Sequence, residues 1–90
     1  MGYRNIYIEN PARLSIKNRQ LIISQVQDIS IPVDDIDSIV IDSLQCTLTA
    51  PTISFLAENQ VVLYTCNKQH MPCAVLNPLG NHSRKLSILQ

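Results

Sequence analysis

Residues 38–65 read SIVIDSLQCTLTAPTISFLAENQVVLYT, and this stretch decides the fold that the sequence predicts. It begins with a short apolar run over residues 38–41, continues with apolar residues at helical spacing, and ends with a strongly apolar run over residues 61–65. A strand, a helix and a strand in this order are typical of a single right-handed crossover between parallel strands. The stretch therefore predicts one parallel strand pair joined by a helix.

The helix of this unit is predicted to span about residues 49–59. Thr49 offers a hydroxyl cap, Pro51 is tolerated in the first turn, and Asn59 can supply a left-handed stop. The apolar residues at helical spacing are Ile53, Leu56 and Ala57, and the residues predicted to face outward are Ser54 and Glu58.

Short strands are predicted on both sides of the unit. Residues 4–8 have the period-two pattern of a half-buried strand. A further alternating segment at 14–17 and the apolar run 21–23 flank Asn18, a residue that tolerates a tight hairpin turn. Alternation over residues 27–31 ends at Pro32, which has no backbone N–H to donate to a neighbouring strand. The remaining predicted elements are a polar corner at 33–37, a turn at 66–71 and a final strand at 72–76. The sequence thus predicts an α+β fold with short, mainly antiparallel strands, one crossover helix and the start of a second helix at the C-terminus.

Length and composition indicate one small globular domain. The chain has 90 residues, of which 46% are hydrophobic and 16% charged, a composition too apolar for a disordered protein. No apolar run exceeds about four residues, whereas a membrane span needs roughly 20, and the N-terminus lacks the pattern of a signal peptide. These features predict a cytosolic protein without membrane association, in which Cys46, Cys66 and Cys73 are reduced and mostly buried.

Charge is segregated along the chain although the net charge is zero. The first 19 residues hold four cations and one carboxylate, residues 20–67 hold six carboxylates and no Lys or Arg, and residues 68–90 hold three cations. A pI near 6.7 argues against a freestanding nucleic-acid binder, which is usually basic. The segregation permits one local basic face if the two ends of the chain meet.

Two groups of residues could be read as metal sites. Asp34, Asp35, Asp37 and Asp42 are hard-cation ligands, but Asp is also common in turns, and the turn interpretation is favoured. Cys66, His70 and Cys73 have the spacing C-x3-H-x2-C, with Cys46 or His82 as the fourth zinc ligand, yet this spacing matches no regular zinc pattern. No nucleophile elbow or phosphate-cradling loop is present either, so the sequence predicts no self-contained active site.

The basic group His82-Ser83-Arg84-Lys85 is a candidate anion site. Its cations lie at a predicted helix start, where exposed backbone N–H groups favour phosphate, although an ordinary solvated helix start remains the alternative. Arg13, Lys17 and Arg19 are weaker candidates. The predicted second helix stops after about two turns, and a helix this short is marginal unless docked, so we expect the natural protein to continue beyond Gln90.

Taken in order, these pieces resemble the N-terminal domain of the CRISPR adaptation integrase, the universal spacer-acquisition endonuclease. The resemblance covers essentially the whole chain and is greatest to the type II variety, found beside a large single-protein effector nuclease. The segments that carry it are GYR at residues 2–4, LSIKN at 14–18, ISIPVDDI at 29–36, LTAP at 48–51, LAENQVVL at 56–63 and MPCAVL at 71–76.

The resemblance implies a β-rich N-terminal domain over residues 1–80, with residues 81–90 beginning the linker or helix into a larger helical domain. It implies that the catalytic, metal-binding Glu, His and Asp would lie beyond Gln90, so this chain alone would be inactive and hold no cofactor. The full-length protein would be a DNA endonuclease that uses Mg or Mn. The resemblance also implies a homodimer that holds double-stranded DNA (protospacer and repeat) in complex with the smaller CRISPR adaptation subunit.

Four residues are the candidates for contact with the DNA backbone, namely His82, Arg84, Lys85 and Arg13, the last of them for its charge. The first three fall at the passage between the two domains, where basic residues of the family meet phosphates. The loop at residues 10–13 matches a region that offers an aromatic wedge to the duplex end in some relatives. Here the loop has Pro11 and Ala12 instead, so only Tyr7 or Tyr3 could replace the wedge, provided that the fold brings them to the rim.

A function of another class remains open at the level of sequence. The chain could be a small standalone protein-interaction module without a nucleic-acid role. A zinc-stapled domain is a third, weaker alternative.

Overall fold

A computed structural model describes residues 4–79, and its elements are seven strands, one α-helix and one short 3-10 turn. The strands are β1 (Arg4–Ile8), β2 (Arg13–Lys17), β3 (Gln20–Ser24), β4 (Asp28–Pro32), β5 (Ile36–Ile41), β6 (Val62–Cys66) and β7 (Pro72–Leu76). The helix α1 spans Ala50–Glu58, and the 3-10 turn spans Val33–Asp35. The predicted second helix lies outside the described residues.

The strands form two sheets, in the order β1-β5-β6-β7 and β2-β3-β4. The pairs β1–β5 and β5–β6 are parallel, and the other three pairs are antiparallel. Because α1 connects β5 to β6, the predicted parallel crossover is confirmed, as is the α+β class with mainly antiparallel pairing. β5 begins at Ile36, two residues earlier than predicted, since Ile36 is only 4% exposed and belongs to the core.

The hairpin between β2 and β3 turns at Asn18 and Arg19, whose φ angles are 53° and 61°. Two consecutive left-handed residues make the tight two-residue turn that the sequence predicted at Asn18. The Arg19 carbonyl accepts a hydrogen bond from the Val33 N–H at 3.1 Å, and its guanidinium donates to the side-chain oxygen of Asn59 at 3.2 Å. The same guanidinium lies 5.5 Å from the centre of the Phe55 ring, so Arg19 joins the hairpin to α1 and is occupied by structural contacts.

Both ends of α1 differ in detail from the prediction. Thr49 is the N-cap residue, but its hydroxyl contacts the hydroxyl of Thr52 at 3.1 Å and makes no cap bond to the backbone. Asn59 has φ −101° and is not left-handed; that conformation falls on Gln60, at 65°. The reason is that the Asn59 amide donates to the Phe55 carbonyl at 2.8 Å, which extends the helical turn by one residue.

The core lies between the two sheets and beneath α1. The inner face of the four-stranded sheet contributes Ile8, Ile39, Ile41 and Leu63, the three-stranded sheet Leu14, Leu21, Ile23 and Ile31, and the helix Leu56. Thr52 is also buried on α1, whereas Ile53 and Ala57 are only half-buried, because the buried side of the helix is centred on Thr52 and Leu56. Within residues 4–79, no helix is both long and apolar enough to span a bilayer.

Candidate nucleic-acid interface

An open groove of about 850 Å³ lies at the end of the molecule where β1 and β5 finish. Three segments form it: the loop after β1, the β3–β4 turn and the loop after β5. The loops are joined by backbone hydrogen bonds, from Thr47 N–H to the Ala12 carbonyl at 3.0 Å and from Leu14 N–H to the Thr47 carbonyl at 2.9 Å. The groove walls are therefore fixed to both sheets. Its lining residues are Asn10, Pro11, Ala12, Arg13, Ser24, Gln25, Val26, Gln27, Ile29, Gln45 and Thr47.

Arg13 supplies the positive charge of the groove. It is the first residue of β2 and is exposed, and alternation along the strand places Ser15 and Lys17 on the same outer face. With a rise of about 3.3 Å per residue, Arg13 and Lys17 are about 13 Å apart along β2. Each strand of a duplex carries one phosphate per about 3.4 Å of helix axis, so both cations can reach one backbone.

The other lining residues are uncharged, some polar and some apolar. Four carry side-chain amides, namely Asn10, Gln25, Gln27 and Gln45, and no carboxylate among residues 4–79 lines the groove. Val26, at the tip of the β3–β4 turn, is fully exposed, and Ile29 is 49% exposed. The groove thus combines one cation, neutral hydrogen-bonding groups and apolar surface. This combination suits a ligand that carries negative charge together with hydrogen-bonding groups.

None of the aromatic side chains that the structure describes lines the groove. The loop at residues 10–13 presents Pro11, which is exposed, and Ala12, which is 7% exposed, where some relatives have an aromatic wedge. Tyr7 lines a different depression, and its hydroxyl donates to Asp42 Oδ2 at 2.7 Å. Tyr3 lies outside the described residues. The Tyr7 hydroxyl is therefore bound to Asp42, and Tyr7 is not among the residues that line the groove.

A hydrogen-bonded cluster of Tyr7, Asp42 and His70 lies at the same end of the molecule. The Asp42 side chain is 7% exposed and accepts from Tyr7 on Oδ2, while Oδ1 is 3.0 Å from His70 Nδ1. The hydrogen bond from Tyr7 lowers the pKa of the Asp42 carboxyl, and the same bond raises the pKa of Tyr7 to about 12. Neighbouring Cys66 is buried, and its burial raises the pKa of its thiol.

Arg13 is the one predicted DNA contact that falls within the described residues, and it lies in the groove. His82, Arg84 and Lys85 lie outside residues 4–79, and their predicted role stays a prediction. Sequence reasoning missed two features of this end, the amides that line the groove and the contact between Asp42 and His70, which are 28 residues apart. Charge alone marked Arg13, whereas neutral amides carry no comparable signal.

Neither the carboxylate site nor the zinc site considered from the sequence is formed in the part of the chain from Arg4 to Leu79. No three His, Cys, Asp or Glu side chains converge there as ligands. Asp34 lies 3.4 Å from the Arg19 guanidinium, and Asp42 is bound by Tyr7 and His70, so the Asp residues separate. Cys66 is a buried free thiol, and Cys73 is a free, exposed one.

A family model and a relative of known sequence both match this chain, and they name the same family. The family model described as CRISPR associated protein Cas1 matches residues 6–90. The CRISPR-associated endonuclease Cas1 of Neisseria meningitidis serogroup C (strain 8013) is 37% identical over 91 residues, which cover 100% of this chain and 30% of that protein. The chain thus spans about 30% of the length of this curated relative.

Solved structures with the same fold include a Cas1 protein from Thermotoga maritima, with a TM-score of 0.76 and 16% identity over 83% of this chain and 25% of that one. A partial Cas6-RT-Cas1–Cas2 complex has a TM-score of 0.75 and 13% identity, covering 82% of this chain and 23% of that one. A Cas1–DNA complex has a TM-score of 0.72 and 18% identity, covering 87% of this chain and 27% of that one. At these identities the similarity establishes the fold.

Proposed function

The chain belongs to the Cas1 family of CRISPR-associated proteins, and from this premise we propose that it is the DNA-holding and dimerising N-terminal domain of a CRISPR spacer-acquisition integrase. In this proposal residues 1–80 are the β-rich domain, and residues 81–90 begin the connection to a helical catalytic domain. This chain matches only 30% of the length of the Neisseria meningitidis relative, which supports a further domain in the longer protein. Family membership favours this function over a standalone interaction module.

The observation that supports the DNA-holding role is the groove, whose lining, within the part of the chain that the structure describes, includes Arg13 and no carboxylate. Phosphate contacts give affinity without reading sequence, which suits a protein that must accept arbitrary spacers. Arg13 and Lys17 would meet one backbone along β2. His82, Arg84 and Lys85 would add phosphate contacts after the β-rich domain, as their position in the family suggests, and the Cas1–DNA complex with the same fold supports DNA as the partner.

Replacing Arg13 by alanine is expected to weaken binding of a 20-base-pair duplex roughly three- to tenfold at about 50 mM salt and to reduce the salt slope by about one. Arg13 is exposed, so the loss would come from a phosphate contact and not from unfolding. Fluorescence anisotropy over a salt series, with duplexes of several sequences, measures both quantities. Replacing Arg84 and Lys85 together should lower the slope by about two.

Arg4→Ala is the matched control, because it removes the same charge at the opposite end of β1 from the groove. Equal losses in the R4A and R13A variants would show that binding follows net charge and would contradict a localised groove.

The outer face of the four-stranded sheet, which we call the open face, is the proposed dimer surface. Strand register aligns Tyr7, Val40, Tyr64 and Val75 in one row across it. Tyr7, Tyr64 and Val75 are 54%, 36% and 45% exposed, and every residue of β7 is exposed. Apolar surface of this kind marks interaction sites, and a second copy of the chain would cover it.

Val75→Glu is expected to convert a dimer into a monomer, raising the dissociation constant at least about tenfold, because a charge would be buried without a partner. Sedimentation velocity across a concentration series measures the change. Ser30→Glu, on the exposed face of the other sheet, is the matched control and should leave assembly unaltered. A wild-type chain that stays monomeric, or a V75E chain that still dimerises, would contradict the open face as the dimer surface.

We further propose that the longer protein is a metal-dependent nuclease that works with the smaller adaptation subunit. The curated relative is an endonuclease, and the Cas1–Cas2 complex with the same fold supports the subunit partner. Mg or Mn would be held by residues beyond Gln90. Residues 4–79 present no converging set of ligands, so they do not fit such a metal.

A further inference from the structure

The turn between β6 and β7 brings a histidine onto a nearly buried carboxylate at the end of the parallel strands. Asp42 follows β5 directly, and its N–H donates to the carbonyl of Ile8, the last residue of β1, at 2.8 Å. The Asp42 side chain is 7% exposed, whereas that of His70 is 73% exposed, so the ring covers the carboxylate from the solvent side. One Asp42 oxygen contacts Tyr7 and the other contacts His70, which satisfies both.

The backbone of this turn places the ring there. His70 has φ 64°, the left-handed conformation that closes the turn, and its N–H donates to the Asn67 carbonyl at 3.0 Å. Histidine is one of the residues enriched in that conformation. The side-chain oxygen of Asn67 accepts hydrogen bonds from the N–H groups of Gln69 at 2.9 Å and Met71 at 3.1 Å. The turn therefore fixes the backbone at His70, and the contact with Asp42 fixes the ring.

The fixed direction determines what His70 can bind. Its Nδ1 is occupied by Asp42, so the ring presents Nε2 toward solvent. An anion at Nε2 would place the ring between two negative groups, and a ring that carries a proton on both nitrogens donates one N–H to each. Lys68 lies two residues earlier in the same turn and is exposed. A cation is disfavoured by Lys68 and by the absence of three converging ligands among the described residues.

The position of the turn connects it to the groove. The loop that begins at Asp42 continues to Gln45 and Thr47, which line the groove beside Arg13. The groove and the turn therefore flank one loop at one end of the molecule. An extended polyanion that lies across this end would meet Arg13 on one side of the loop and the β6–β7 turn on the other.

We infer that Lys68 and His70 form a second phosphate-binding site for the DNA backbone, with Asp42 as the residue that positions the His70 ring. The inference rests on the proposed DNA-holding function and extends the DNA path from the groove to the β6–β7 turn. Because the contacts are to phosphate, they add affinity for every duplex sequence equally.

The test measures binding of the chain to a 20-base-pair duplex by anisotropy over a salt series. Lys68→Ala and His70→Asn are each expected to weaken binding roughly three- to tenfold, and K68A should lower the salt slope by about one. Asn replaces His70 because it tolerates a left-handed backbone and so preserves the turn. Gln69→Ala, in the same turn, removes no charge and should stay within about twofold of wild type.

Nuclear magnetic resonance distinguishes DNA contact by His70 from a purely structural role of this residue. The ring signals of His70 should shift on addition of the duplex, at the same concentration that saturates the anisotropy. Asp42→Asn should change the ring nitrogen signals before any DNA is added, because the carboxylate that fixes Nδ1 is lost.

The outcomes separate this inference from the proposed function. If R13A weakens binding while K68A and H70N bind as wild type does, the second site is wrong and the DNA-holding function stands. If the wild-type chain binds no duplex at low salt, both are wrong. If H70N loses its folded spectrum, K68A decides, since an exposed lysine can be removed without disturbing the core.

Discussion

Truncating Ile39 to alanine is expected to lower the free energy of unfolding by about 3–4 kcal/mol. Ile39 is 0% exposed and lies in β5, where it pairs with Ile6 on one side and Leu63 on the other. The truncation leaves a cavity where both sheets meet, and neighbouring strands relax only partly into it. A 90-residue domain has a total stability of roughly 5–13 kcal/mol, so this single change would remove a large part of it.

Urea unfolding followed by circular dichroism measures the difference. Ile29→Ala is the matched control, because it deletes the same atoms from a residue that is 49% exposed, and it should cost less than about 1 kcal/mol. Equal losses at the two positions would show that the core is not centred between the sheets.

Replacing Leu56 by glutamate is expected to detach α1 and unfold the domain, with a loss of more than about 4 kcal/mol. Leu56 is 2% exposed, and the substitution would bury a charge that has no partner. The helix has nine residues, too few to persist in water without docking. Because α1 connects β5 to β6, an unfolded α1 would leave these two parallel strands joined only by an unstructured segment.

Ser54→Glu places the same charge on the exposed side of the same helix and should leave stability within about 0.5 kcal/mol of wild type. Far-ultraviolet circular dichroism and thermal melting distinguish the two variants. A folded L56E variant with a native melting temperature would mean that α1 does not seal the core.

The strand and helix order could be predicted because each element carries a local pattern. Period-two alternation marked the strand before Asn18, an apolar run marked the strand after it, and helical spacing marked the segment after Thr49. The errors lie where a local rule competed with a tertiary contact. Asn59 favours a left-handed stop on its own, but its side chain bonds to the Phe55 carbonyl, and the left-handed residue moves to Gln60.

The candidate site was predictable only where charge marks it. Arg13 stood out as a cation beside a proline, and the structure brings it into the groove. His70 was read with Cys66 and Cys73 as a zinc pattern, whereas its partner is Asp42, which is distant in sequence. Contacts between segments this far apart depend on the pairing of β5 and β6, and no local pattern reports them.

The pairing of β1 also constrains the order in which the chain can assemble on the ribosome. The strand neighbour of β1 in its sheet is β5, and Arg4 pairs with Ile36, more than thirty residues later. The β2–β3–β4 meander closes through short turns and can form as soon as it emerges, whereas the first strand synthesised must wait for β5. The nascent N-terminus therefore stays without its hydrogen-bonding partner while the meander folds first, and a translational pause before β5 would prolong that interval.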